Sequence, residues 1–181
     1  MQIIESENLL FRPIGYDDTD MVLKWRNSEE VNRNFLYRRE VTKEDHIKWL
    51  KTKVETGEVR QFIIVEKAGD RPIGSVYFRD IEKEISQAQY GIFIGEADAR
   101  GKGYGSETAV RMVKYYFEEM KYHKLYLKAL ARNTTAIKSY ERAGFMIDKS
   151  ADYGEHFEEL LEEVIYMSMT HGTSSSIVGS T

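Results

Sequence analysis

Two stretches, Tyr90-Gly91-Ile92-Phe93-Ile94 and Arg100-Gly101-Lys102-Gly103-Tyr104-Gly105, decide how this chain is read. The first has the apolar character of a strand, and the residues from Ser106 to Met120 have helical spacing. Three glycines, alternating with a cation and an aromatic, therefore stand where a strand hands over to a helix. Glycine adopts backbone conformations closed to other residues and lets a ligand approach the main chain. A helix start offers unpaired N–H groups and the positive end of a dipole. Together these make a seat for phosphate. The spacing G-x-G-x-G in mid-chain matches neither the P-loop nor the dinucleotide fingerprint. A glycine-rich turn without a ligand has the same local pattern.

Outward from this junction the chain alternates between strand and helix signals. Asn8 to Ile14 reads as a first strand. Asp17 and Asp18 are cap-like acids before a helix carrying Met21, Val22 and Trp25. Asn27 to Tyr37 is polar and broken, in the manner of a short helix and a loop. Thr42 reads as the cap of a further helix with Ile47, Leu50 and Val54 on one face. Gln61 to Glu66, Ile73 to Ile81 and Ile85 to Ile94 read as strands, the last two as a hairpin. His123 to Ala131 is a strand, Asn133 to Ala143 a short helix ended by Gly144, and Phe145 to Asp148 and Val164 to Met169 are closing strands. The near-alternation of Val164 to Met169 fits a strand covered on both faces. This order argues an α+β fold with a mixed sheet rather than a doubly wound one.

The 181 residues suit a single domain, taken as 1–171, followed by a small-residue polar tail, 172–181, expected to be disordered. There are no cysteines, which removes disulfides, thiolate metal sites and a cysteine nucleophile. The 26 Lys and Arg against 30 Asp and Glu leave a net charge of −4, a poor balance for general nucleic-acid binding. No apolar run reaches membrane-span length, and the N-terminus lacks the marks of a secretory signal. A cytoplasmic protein that binds neither nucleic acid nor membrane is expected. His46, His123, His156 and His171 have no metal-ligand spacing, so no metal is expected. Glu155, Glu158, Glu159, Glu162 and Glu163 form an acidic cluster that reads as a charged strand edge, with a pocket for a cationic amine as the alternative.

The second informative stretch is Asn133-Thr134-Thr135-Ala136-Ile137-Lys138-Ser139-Tyr140-Glu141-Arg142-Ala143-Gly144-Phe145. Asn133 is a good helix cap, and Ile137 and Tyr140 share its helical face. With this stretch on the page, the chain resembles the GNAT acetyltransferase superfamily. Arg100-x-x-Gly103-x-Gly105 is similar to that family's acyl-CoA pyrophosphate loop. Asn133 to Phe145 is similar to its following helix, N-x-x-[AS]-x-x-x-Y-x-x-x-G-F. The resemblance implies a mixed, mainly antiparallel sheet of about seven strands with two splayed parallel strands, flanked by about four helices. It implies acetyl-CoA as acyl donor, lying between Tyr90–Glu96 and His123–Ala131. Its pantetheine arm would meet Phe93, Ile94 and Gly95. Its pyrophosphate would lie on Arg100, Gly101, Lys102, Gly103, Tyr104, Gly105 and Ser106.

The resemblance further implies that Tyr140 is the general acid at the departing sulfur and that Asn133 hydrogen-bonds the pantetheine arm. The acid that many relatives carry in A-E-x-G is here Gln89, in Ala88-Gln89-Tyr90-Gly91, and an amide cannot take a proton. The base is then a water chain or a carboxylate of the N-terminal half, with Glu29 and Glu30 as candidates; a solvated helix end accounts for both equally well. Trp25-Arg26-Asn27 and Val41 to His46 resemble the RimJ/RimL-type branch, and in particular its amino-sugar acetyltransferases. Plain core anchoring by Trp25 and Trp49 is the simpler account of the same residues. A small-molecule amine, an amino sugar ahead of a polyamine, is the implied acceptor. A protein N-terminus and a non-catalytic CoA-binding role stand as alternatives, and a homodimer is possible.

Overall fold

In the computed structural model, residues 2–150 and 162–172 are described. The tail 173–181, His156, Glu155, Glu158 and Glu159 lie outside them. An eight-stranded sheet has the order β1-β2-β3-β4-β5-β6-β8-β7. Its strands are β1 (Ile4–Glu5), β2 (Leu9–Pro13), β3 (Arg60–Glu66), β4 (Arg71–Glu82), β5 (Gln87–Ile94), β6 (Lys124–Leu130), β7 (Met146–Ile147) and β8 (Val164–Thr170). The α-helices among the described residues are α1 (Thr19–Arg26), α2 (Glu29–Asn32), α3 (Lys43–Trp49), α4 (Tyr104–Lys114) and α5 (Thr134–Arg142). Every neighbouring pair is antiparallel except β5 and β6. The strand beyond the expected seven is β1, where Ile4 pairs with Phe11; two residues are too short to show a period. No helix among the described residues is long and apolar enough to cross a membrane.

The two-residue period of strands sorts side chains onto two faces. On β3, Phe62 and Ile64 turn to the face covered by α4 and α5, where Met112, Tyr116 and Leu125 complete the larger core. Ile63 and Val65 turn to the face covered by α1 and α3, against Val22, Trp25 and Leu50. A strand buried on both sides reads as an unbroken apolar run, as Phe62 to Val65 does. β8 departs from the expected double coverage: Met167 and Met169 are buried, while Tyr166 and Ser168 are only partly covered.

Local capping also follows the sequence. Thr42 Oγ1 accepts from Asp45 N at 3.1 Å and opens α3. Leu50 is buried and Val54 packs against the same core, as expected, but His46 takes the inner place and Ile47 is 39% exposed. His46 is drawn inward by a hydrogen bond between its Nδ1 and Thr19 Oγ1 of α1, at 3.2 Å. Asp18 does not act as a side-chain cap for α1. Its carboxylate accepts from Arg12 at 2.6 and 2.9 Å and from Gly15 N at 2.8 Å. Burial pushes that carboxyl up, but the Arg12 guanidinium and the Gly15 N–H together hold it below the ordinary range.

Candidate active site

The site begins where the parallel pair parts. β5 and β6 are in register only at Gln87–Lys124, Ala88–Leu125 and Gln89–Tyr126. Beyond Gln89, β5 continues to Ile94 paired on its β4 side alone, and β6 continues to Leu130 paired with β8. The hydrogen bonds fix which main-chain groups face the opening. Lys124 N donates to Ser86 O, and Gly95 N donates to Ile73 O. With the period of two, Tyr90, Ile92 and Ile94 present their N–H and C=O toward the gap, and Phe93 and Gly95 present theirs to β4. The three residues expected to meet an amide-bearing arm are thus divided by register. Ile94 faces the gap, whereas Phe93 pairs with Ser75 and sends its ring to the opposite wall, 6.4 Å from Trp25 and 5.9 Å from Phe35. Gly95 has a different use: a side chain there would meet the Trp25 ring at 2.2 Å.

At the upper end of the gap β5 leaves the sheet and its last carbonyls lose their ladder. Arg100 supplies the donors, from Nε to Ile94 O at 3.0 Å and from Nη2 to Gly95 O at 2.8 Å. Its charge is therefore held at the strand end. Gly101 and Gly103 have φ of 76° and 86°, the left-handed region that other residues enter at a cost. Gly103 opens α4 with no side-chain cap, so the first N–H groups of the helix have no intrahelical partner. Tyr104 anchors the loop by donating to Glu66 at 2.6 Å, and Lys102 lies 3.8 Å from the same carboxylate. Tyr104 first and Arg71 second hold the Glu66 carboxyl below its ordinary range.

Two residues beside this helix start were not singled out from the sequence. Ser139 Oγ lies 2.9 Å from Ser106 Oγ, and Arg142 donates to Ser106 Oγ at 3.3 Å. The spacing of three between Ser139 and Arg142 puts them on one side of α5, a signal that was available. Asn133 is the cap it was expected to be, its Oδ1 accepting from Ala136 N at 3.4 Å, which leaves its amide N–H groups for other partners. Tyr140 is buried, edge-on to Tyr90 at 6.0 Å and Phe145 at 6.1 Å. Burial pushes its phenol well above the ordinary range, so the hydroxyl keeps its proton.

Trp25-Arg26-Asn27 builds the other wall. Trp25 Nε1 donates to Glu96 at 2.7 Å and seats α1 on the end of β5. Asn27 exchanges two hydrogen bonds of 2.9 Å with the main chain of Val41. The Arg26 guanidinium lies 3.4 Å from the Phe35 ring centre, with Nη2 donating to Tyr37 O at 3.0 Å. Its Nη1 is buried with no hydrogen-bond partner among the described residues. Gln89 Oε1 accepts from Arg79 at 3.3 Å. Glu29 and Glu30 are exposed in the first turn of α2, where the helix dipole accounts for acids. Glu162, of the acidic cluster, is paired with Arg38 and Arg132, which hold its carboxyl low. No cluster of three or more His, Cys, Asp or Glu suited to a metal occurs among the described residues.

A mixed sheet opened between its parallel strands, with a bare helix start beyond the opening, is the layout of an acyl-transferring enzyme of the expected kind. The acetyltransferase (GNAT) domain family matches residues 8–146, and the chain belongs to that family. It is 26% identical over 156 residues to the uncharacterized N-acetyltransferase p20 of Bacillus licheniformis, covering 82% of this chain and 87% of that one. It is 24% identical over 144 residues to the acetyltransferase PseH of Campylobacter jejuni, covering 79% and 87%. Among solved structures, spermidine N-acetyltransferase from Vibrio cholerae, in complex with CoA and spermine, superposes with a TM-score of 0.78 at 19% identity, covering 91% of this chain and 96% of that one.

Proposed function

We propose that the protein moves an acetyl group from acetyl-CoA to the primary amine of a small molecule, and that it belongs to the RimJ/RimL-type branch. The observation that carries the reading is the parting of β5 and β6 after Gln89–Tyr126, with the buried Tyr140 phenol packed against Tyr90 of β5. The residues fit the donor. Tyr90 and Ile92 turn main-chain groups toward the gap for an amide-rich arm. The uncapped start of α4, with Ser106 and Arg142, suits a diphosphate. When bound, acetyl-CoA supplies an acetyl activated as a thioester. The neutral acceptor nitrogen bonds to the acetyl carbon as the carbon–sulfur bond breaks, and it gives up its extra proton to water. Tyr140 gives its phenolic proton to the departing sulfur and recovers one from solvent.

An amino sugar is favoured over a polyamine. On the acceptor side Arg26 has a buried Nη1 without a hydrogen-bond partner among the described residues, and Arg79 lies on the same face of the sheet. An unpaired buried donor is costly, and an acceptor that brings oxygen, as a hydroxylated or phosphorylated sugar does, satisfies it. A polycation would meet the Arg26 guanidinium instead. The test is thiol release from acetyl-CoA in the presence of amino sugars with and without a nucleotide diphosphate, polyamines and short peptides. Release on the amino sugars supports the reading; release on polyamines or peptides alone replaces the acceptor; CoA binding with no release on any amine overturns the activity.

A further inference from the structure

Between the two walls of the site, the sheet face under α1 and α3 carries a row of polar side chains. Gln61 receives from Trp49 Nε1 at 3.0 Å and donates to Ser75 Oγ at 3.0 Å. Ser75 Oγ donates to Phe62 O at 2.9 Å. Gln89 receives from Arg79. Tyr77 stands in the middle of this row, paired with Gln61 on one side and Gly91 on the other. Unlike these neighbours, its hydroxyl has no hydrogen bond to another described residue.

Gly91 explains the ring's position. A side chain at 91 would meet Tyr77 ring carbons at 2.3 Å and the hydroxyl oxygen at 2.5 Å, so the phenol occupies the space that any larger residue would fill. Gly91 is two positions past Gln89, the last residue of β5 paired with β6. The ring lying across Gly91 therefore brings its hydroxyl to the rim of the gap at the point where it opens. Burial pushes the Tyr77 phenol above its ordinary range, and the nearby Arg79 and Arg26 charges pull the other way. Tyr77 thus stands near the Arg26 and Arg79 cations.

We infer that Tyr77 is an acceptor-binding residue: its hydroxyl oxygen receives a hydrogen bond from the amine to be acetylated, and Gly91 is the vacancy in the sheet that lets it do so. The inference rests on the acetyl transfer proposed above. No bond is made or broken at Tyr77; it orients the nitrogen.

The test is Tyr77→Phe, which keeps the ring and so the packing over Gly91. Loss of a hydrogen bond to a polar or charged amine should raise the acceptor KM and lower kcat/KM by about 10- to 100-fold. The dissociation constant for CoA, measured by calorimetry, should stay within about twofold, a smaller change than loss of one neutral hydrogen bond would give. Gly91→Ala, which displaces the ring, should give the same loss in kcat/KM. An unchanged acceptor kcat/KM in Tyr77→Phe, with the wild type active, overturns this inference and leaves the acetyl transfer standing. A wild type that binds CoA and acetylates no amine overturns both.

Discussion

Tyr140 keeps its proton because of where it is, packed between Tyr90 and Phe145 away from water. Burial disfavours the charged phenolate, so the acid form persists above the usual phenol pKa of about 10. Tyr140→Phe should lower kcat by about 10²- to 10⁴-fold while CoA affinity holds, read by thiol release and calorimetry. The sign of its pH dependence follows. The required form is the protonated one, present below the raised pKa and lost only as pH rises through it. The wild-type rate should therefore show no fall from this group below about pH 10, and a fall at pH 8 to 9 would contradict the role. The glycines of the junction separate by the same local reasoning. Gly103, with φ of 86°, should cost about 1–2 kcal/mol when changed to alanine. Gly105 has no positive φ, and a side chain there meets nothing nearer than Ser139 Oγ at 3.9 Å. Gly105→Ala should thus leave stability unchanged or raise it by about 0.5–1 kcal/mol, and denaturant titration of both variants checks the contrast.

At the scale of elements, α1 and α3 are joined by a polar contact inside an apolar layer. His46 Nδ1 meets Thr19 Oγ1, while its Nε2 is buried with no hydrogen-bond partner among the described residues. Burial draws the imidazole pKa down, against a smaller opposing pull from Asp18. A group held neutral in the fold gives full stability above its unfolded pKa of about 6.5, and that stability is lost as pH falls through the folded value. The unfolding midpoint should drop as pH is lowered from 7 toward 5, and His46→Gln should flatten the slope; equal slopes would place the titrating group elsewhere. The sequence pattern put Ile47 on the inner face of α3. The neighbouring helix reversed that order, because Thr19 gives the histidine a partner that no single-helix pattern contains. Thr42 was legible as a cap for the opposite reason: its partner, Asp45, is three residues away.

The whole molecule is acidic, with 26 cations against 30 anions, yet Arg26 of α1 and Arg79 of β4, the latter paired with Asp80, lie on one face of the sheet. Long-range attraction for an anionic substrate is weak under that balance, so selection must come from contact inside the site. Arg26→Gln should lower kcat/KM for a phosphate-bearing acceptor by about 10- to 100-fold and for an uncharged amine by no more than about threefold. Equal losses on both would reduce Arg26 to a packing residue on Phe35. The glycine junction, the capped helix with Tyr140, the hairpin and the mixed sheet were legible from residues close together in sequence, because turns, caps and strand periods are local. What lay beyond the sequence was every pairing between distant residues. Register alone decided that Ile92 and Ile94 face the opening and that Phe93 faces away. Likewise Gly91 and Gly95, which read as parts of a strand and of a cofactor seat, are glycines because Tyr77 and Trp25 fill their space. Sequence determined which elements form and which glycine loop opens α4. Tertiary structure decided which side chains meet across the gap, since that depends on how strands far apart in the chain are aligned and packed.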